Sequence, residues 1–250
     1  MRFGLVLLLL ASAPELHELR YRFPKGLVYE ETTTRTLLLE GEEKGAPAVW
    51  KMSAEETFRR TIVEADGTRH PSIERVEVLK MVRTVEESPT EEKGRKVDPA
   101  QGRTFLWRRR PERWKLYDGK GEVTKRYPRL VERLSNWRDA RLPKIPVRVG
   151  ATWEVSARIF LETLGQPPPP RLDGLARFKL EEVREGTARI SFDVVYRWRQ
   201  GETDMSAEGK GIWRFDVRRG RDLELEVSVA VAAGKLKGTS RQRRVVKYPG

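Results

Sequence analysis

The sequence predicts a mainly β protein: two repeated antiparallel β halves with one linking amphipathic helix, arranged as a sandwich or an incomplete barrel. Three observations carry this. A glycine three positions ahead of an aromatic-Glu pair occurs twice, in Phe23-Pro24-Lys25-Gly26-Leu27-Val28-Tyr29-Glu30 and in Val147-Arg148-Val149-Gly150-Ala151-Thr152-Trp153-Glu154, and self-similarity at half the chain length is the mark of a repeated unit. An Arg (Arg35, Arg158) and a Leu-Glu pair (Leu39-Glu40, Leu161-Glu162) follow in each copy. Apolar residues alternate with polar ones through the second half, the signature of strands with one buried and one wet face. The connections between these strands are short, which requires antiparallel neighbours.

In chain order, Arg2, the apolar stretch Phe3 to Ala11 and the small residues Ala11-Ser12-Ala13 read as a signal peptide over residues 1–13. The apolar run is about half the length of a membrane-spanning helix, so no transmembrane span is expected in the mature chain. Pro14 stands directly after the expected cleavage point and disfavours cutting there. The address implied is export to the periplasm or cell envelope. Residues 14–126 are expected to form the first β half, 127–146 a helical linker and 147–250 the second β half.

In the first half, Leu27 to Glu40, Val49 to Val63, Ile73 to Val85 and Arg103 to Arg109 read as strands, with a hairpin turn at Ala65-Asp66-Gly67-Thr68. Glu86 to Pro99 reads as a charged loop. After Pro128, the residues Leu130, Val131, Leu134 and Trp137 fall on one helical stripe. Pro128 suits a first turn and Pro143 ends the element, which predicts a helix over Arg129 to Ala140. In the second half, strands are expected at Trp153 to Leu161, Ala176 to Leu180, Ala188 to Arg199, Trp213 to Val217 and Leu223 to Ala232. Pro167 to Pro170 makes a stiff extended loop.

Composition narrows the chemistry. There is no cysteine among the 250 residues, which excludes disulfides, thiol catalysis and the anchor cysteine of a lipoprotein. Lys and Arg total 50 against 37 acidic residues, a net charge of +13, and 35 of the cations are Arg, a thermophile-like, ion-pair-rich composition. Such a balance favours anionic partners. For an exported protein these are anionic lipid headgroups or a cell-wall polymer rather than nucleic acid.

No glycine-rich phosphate loop, nucleophile elbow or metal-ligand spacing occurs. His17 and His70 are expected to be exposed loop residues, and the acidic pairs Glu30-Glu31 and Glu55-Glu56 to lie at solvated turns and strand edges. Neither enzyme activity nor a cofactor is expected. Two binding surfaces are. The basic runs Arg108-Arg109-Arg110 with Arg113, and Arg218-Arg219 with Arg221, occupy corresponding places in the two halves, and Arg suits phosphate and carboxylate. The aromatic set Trp153, Phe192, Tyr196, Trp198, Trp213 and Phe215 lies on one inferred face, where a concave sheet could hold an apolar ligand.

The stretch Leu142-Pro143-Lys144-Ile145-Pro146-Val147-Arg148-Val149-Gly150-Ala151-Thr152-Trp153 resembles a motif of uncharacterised bacterial exported proteins, and Leu19 to Gly26 resembles their mature opening. The resemblance implies a β-rich envelope protein akin to the half-barrel sheets of periplasmic lipoprotein carriers. It implies no catalytic residue. The leading functional expectation is a non-enzymatic exported scaffold that binds an anionic or surface partner. The alternative is a carrier or sensor of a lipid-like apolar ligand, and a hydrolase stands third.

Overall fold

In the computed structural model, residues 15–65, 71–109, 114–134 and 138–249 are described, and they build one antiparallel sheet. The first half contributes β1 (Val28–Glu43), β2 (Ala46–Ala65), β3 (Pro71–Glu87), β4 (Gly94–Val97), β5 (Thr104–Arg109), β6 (Trp114–Asp118) and β7 (Gly121–Glu122). The second contributes β8 (Thr152–Ser156), β9 (Asp173–Arg184), β10 (Thr187–Gln200), β11 (Thr203–Asp216), β12 (Arg221–Ala233) and β13 (Leu236–Lys247). Across the sheet the order is β7-β6-β5-β3-β2-β1-β13-β12-β11-β10-β9-β8, with β4 also paired to β3. The sheet stays open between β7 and β8 and does not close into a barrel. The expected signal peptide, the Asp66-Gly67-Thr68 turn, His70 and Trp137 lie outside the described residues.

Each half runs in the same direction across the sheet, one starting from β1 and the other from β8. Gly26 and Gly150 take nearly the same left-handed backbone, at φ 83° and 87°, a conformation that favours glycine. The strand begins two residues later in both. Gly26 donates to the Ile62 carbonyl and Ile62 donates back to Leu27, at 2.8 and 2.9 Å. Gly150 and Leu180 do the same with Ala151, at 2.7 and 3.0 Å.

The correspondence ends at Ser156. The residues Trp153 to Leu161 were expected as one strand, but only Thr152–Ser156 is extended, and α2 (Ala157–Thr163) follows. The Ser156 hydroxyl accepts from the Ile159 amide at 3.4 Å, an N-cap arrangement. Ala157, Phe160, Leu161 and Leu164 are buried, the i, i+3, i+4, i+7 spacing of an apolar helix face. Arg35 and Arg158 are therefore not equivalent: the first is on a strand, the second is exposed on a helix.

Of the linking helix predicted over Arg129 to Ala140, the described residues show α1 over Pro128–Leu134 and a 3-10 turn over Arg138–Arg141; residues 135–137 lie outside them. Among the described residues there are two short α-helices rather than one, since α2 joins α1. The loop expected at Glu86 to Pro99 also carries β4, which extends the sheet beside Val82 to Val85.

Topology explains where the helices sit. The chain leaves the first half at one edge of the sheet and enters the second at the other, so the connection must cross a whole face. It crosses the face to which Tyr29, Leu37 and Leu39 of β1 point. There Leu130 and Leu134 pack with Phe58, Val76, Phe105, Trp107 and Leu116, while Phe160 and Leu164 pack with Phe178, Phe192 and Val227. This crossing makes one face the core and leaves the other polar. Leu134 is fully buried, so Leu134→Ala should lower unfolding stability by about 2–5 kcal/mol in a urea titration. An unchanged midpoint would show that α1 is not docked on the sheet.

Candidate functional site: a groove beside the second helix

The covered face is polar along its middle. The alternation of β1 directs Glu31, Thr33 and Arg35 inward, between Tyr29 at one end and Leu37 and Leu39 at the other. Neighbouring strands place Glu56 and Arg60 (β2), Glu74 (β3), and Gln242 and Arg244 (β13) on the same face. Arg35, Glu56, Gln242 and Arg244 bond the crossing connection directly. Arg35 donates from Nη1 to Glu56 Oε2 at 2.7 Å, from Nε to Gln242 at 3.1 Å, and from Nη2 to the Leu164 carbonyl at 3.1 Å. Arg133 of α1 donates to the other Glu56 oxygen at 2.8 Å and to the Gly165 carbonyl at 2.7 Å. Arg244 donates to the Thr163 carbonyl at 3.0 Å and lies 3.1 Å from Glu31. Arg60 bonds Glu74 at 3.0 Å.

Three arginines therefore meet the carbonyl end of α2, which would otherwise be left with unsatisfied acceptors, and their charge suits the negative end of the helix. Burial pulls the Arg35 pKa below its ordinary value, with Glu56 opposing and Arg133 adding to the pull. Glu31 and Glu56 were expected at solvated edges. They are buried, at 3% and 4% exposure, because the helix crossing covers the strands they sit on.

A second buried network fixes the same connection further along. Arg141 donates to Asp222 Oδ2 and to the Tyr21 hydroxyl, both at 2.6 Å; Tyr21 donates to Asp222 Oδ1 at 2.6 Å and the Trp213 indole does so at 2.8 Å. The Arg141 guanidinium lies 4.2 Å from the Trp213 ring centroid.

Beside α2 the covered face opens. A cavity of ≈220 Å³ is walled by Phe160, Leu164 and Gln166 of the helix segment and floored by Leu37, Leu39, Tyr196, Trp198, Met205, Val227, Val229 and Val231. Tyr196 and Trp198 are half-buried and stacked, with centroids 5.5 Å apart, and burial pushes the Tyr196 phenol up. The half-buried Trp50 and Ala233 continue the apolar surface past Leu37 and Leu39.

The predicted aromatic set divides here. Tyr196 and Trp198 line the groove. Phe192, Trp213 and Phe215 are buried core residues, sealed by α2, Tyr21 and the Arg141 loop, so they offer no ligand surface. Trp153 is half-buried, stacked on Phe178, and donates to the Arg141 carbonyl at 2.8 Å. The helix wall falls outside the predicted strand pattern: Phe160 sits in a segment predicted as a strand, and its helical spacing with Leu164 is the signal that marks it.

The basic runs do not unite. Arg108 and Arg109 end β5, while Arg218 and Arg219 lie in the turn after β11, six strand spacings away, or roughly 29 Å along the sheet. The inner Arg of each run packs on a tyrosine: Arg108 over Tyr117 at 5.4 Å and Arg221 over Tyr248 at 4.9 Å. Arg218 and Arg219 are exposed. Arg110 and Arg113 lie outside the described residues. His17, expected in an exposed loop, is instead buried and bridges Val147 by two backbone hydrogen bonds of 2.8 and 3.0 Å.

The opposite face holds a wider groove of ≈830 Å³ over Thr34, Thr36, Ser191, Ile212 and Ser228. Its charges largely answer one another: Arg243 pairs with Glu224 and Glu226, Lys210 with Asp193, and Ser191 donates to Glu181. Exposed pairs of this kind contribute little, and Arg189 and Arg241 also border the groove. Among the described residues there is no cluster of His, Asp and Glu fit to hold a metal, and no helix long and apolar enough to cross a membrane.

No protein-family model matches the sequence, and a search of curated proteins finds no match. Among solved structures, a lipovitellin structure concerned with lipid–protein interactions matches at a TM-score of 0.54 and 11% identity, over 92% of this chain and 26% of that one. The chain thus spans about a quarter of lipovitellin's length, and the likeness is one of fold. An AttH-candidate protein from Nitrosomonas europaea, 10% identical over 90% of this chain and 97% of its own, has a TM-score of 0.16 and carries no argument.

The buried and exposed ion pairs should behave differently. Arg141→Met leaves Asp222 charged and enclosed and should cost about 3–5 kcal/mol. Arg243→Gln removes an exposed partner of Glu224 and should cost at most about 1 kcal/mol. Chemical denaturation of the two variants measures the contrast.

Proposed function

We propose that this chain is a non-enzymatic exported protein that carries or senses an apolar, lipid-like ligand on the helix-covered face of its sheet. The observation that carries the reading is the groove beside α2. It is an uncovered apolar floor, with Tyr196 and Trp198 half-exposed, whereas Phe178, Phe192, Trp213 and Phe215 of the same half are packed away. Ligand pockets are commonly apolar with a few polar groups to fix orientation, and here Gln166 and Gln242 stand at the groove's inner end. The fold likeness to lipovitellin is in keeping with this reading. The expected scaffold for an anionic partner has less support as the main function, since it relied on basic runs that the sheet holds far apart. The opening resemblance to exported proteins and the apolar first residues support an envelope location.

Two measurements test the reading. Protein purified from its native envelope, extracted with organic solvent and analysed by mass spectrometry, should release a lipid. A fluorescent fatty acid should bind the purified chain, and Trp198→Ala should weaken that binding by roughly tenfold, the effect of about 1.4 kcal/mol of lost apolar contact. Failure of the parent protein to bind any acyl probe, together with an empty extract, would refute the proposal.

A further inference from the structure

We infer a phosphate-binding pocket at the rim of the second half, independent of the apolar groove. The segment ahead of β1 runs along this rim, and the turn between β11 and β12 rises against it. Together they enclose a cavity of ≈630 Å³ into which Arg20, Arg22, Lys25, Arg219 and Arg221 all face. Among the described residues no acidic side chain lines it.

The cavity is built, not incidental. The Arg22 amide donates to the Gly220 carbonyl at 3.0 Å. Gly220 is in the left-handed region, at φ 65°, and a Cβ there would collide with the Arg20 carbonyl and the Arg22 amide, so only glycine lets the turn approach this closely. Directly behind, Tyr21 is bound to Asp222 inside the Arg141 network. Neighbouring residues on both segments are thus anchored in the core, and they bring the largely exposed cations between them around one cavity despite their mutual repulsion.

Little nearby charge relieves that repulsion. Among the described residues Arg20 and Arg219 have only long pairs, 3.8 Å to Glu18 and 3.9 Å to Asp216. Among the described residues Arg22 and Lys25 have no ion pair. The buried Nε of Arg221 has no hydrogen-bond partner. Five cations from two segments, mostly arginine, suit an oxyanion with several acceptor oxygens. Phosphate fits that description, either as the phosphodiester of an anionic lipid headgroup or as a soluble phosphorylated compound.

The test uses the purified full chain, inorganic phosphate followed by calorimetry, and vesicles of phosphatidylglycerol or phosphatidylcholine followed by sedimentation. The parent should bind phosphate, and it should sediment with phosphatidylglycerol but not phosphatidylcholine, less so at raised salt as screening grows. The triple variant Arg22→Gln, Lys25→Gln, Arg219→Gln should melt as the parent does and lose roughly a hundredfold in vesicle affinity. Lys25→Gln alone, at an exposed position, should show part of that loss. Phosphate binding that is lost in the triple variant, without vesicle binding, supports the pocket with a soluble ligand. The inference is overturned if the parent binds neither probe, if the triple variant binds as the parent does, or if Arg108→Gln with Arg109→Gln, at the distant basic run, costs as much.

Discussion

The carbonyl end of α2 rests on three arginines that reach it from separate elements: Arg35 from β1, Arg133 from α1 and Arg244 from β13. Glu56 and Glu31 answer them from the neighbouring strands. The rest of the architecture depends on this clamp. It sits where the two halves of the sheet meet, and it holds the one connection that must cross from edge to edge. Burying so many charges costs desolvation, and well-packed apolar residues would often be as stable. What the clamp supplies is position: a carbonyl group at a helix end accepts from few directions, so α2 has one seat. With the helix seated there, its apolar side covers Phe178 and Phe192 and leaves the strip from Leu37 to Trp198 uncovered. The groove is a consequence of where the clamp stops.

The Arg141 network does for the rim what the clamp does for the centre. Asp222 accepts from Arg141, Tyr21 and Trp213, so one carboxylate ties the crossing connection, the opening segment and the sheet floor together. Both proposed sites border one of these networks. The apolar groove ends on Gln242, a member of the clamp, and the basic pocket is roofed by the segment that Tyr21 pins down. The polar core of this protein thus sets the shape of the surfaces around it.

An open sheet of this width has two edges to protect. The edge strands are the short ones: β7 has two residues and β8 has five. Short edges offer little template for pairing with another chain. The longest strands, β1, β2 and β3, stand in the interior of the sheet, where both neighbours satisfy their backbone groups.

How much of this was legible differs from element to element. The strands of the second half were readable because each has one wet and one covered face, and period two follows from that alone. The repeat was readable at Gly26 and Gly150 because a left-handed turn favours glycine. The α2 helix was open to reading, since Ser156 and the spacing of Ala157, Phe160, Leu161 and Leu164 mark it, yet Trp153 and Val155 just before it continue an alternation that masks the change of period. The buried charges could not be read. Glu31, Arg35, Glu56 and Arg244 alternate as outward-looking polar residues do, and nothing local distinguishes a carboxylate facing water from one facing a helix end. The separation of Tyr196 and Trp198 from Trp213 and Phe215 was equally hidden, because all four occupy the same kind of strand position. The sequence by itself determined the strand pattern, the glycine turns at Gly26 and Gly150 and the basic balance, since these rest on neighbours along the chain. Which aromatics stay open and which charges are buried was decided by the crossing connection, and which cations share a pocket by the opening segment, because both set in contact residues more than a hundred positions apart.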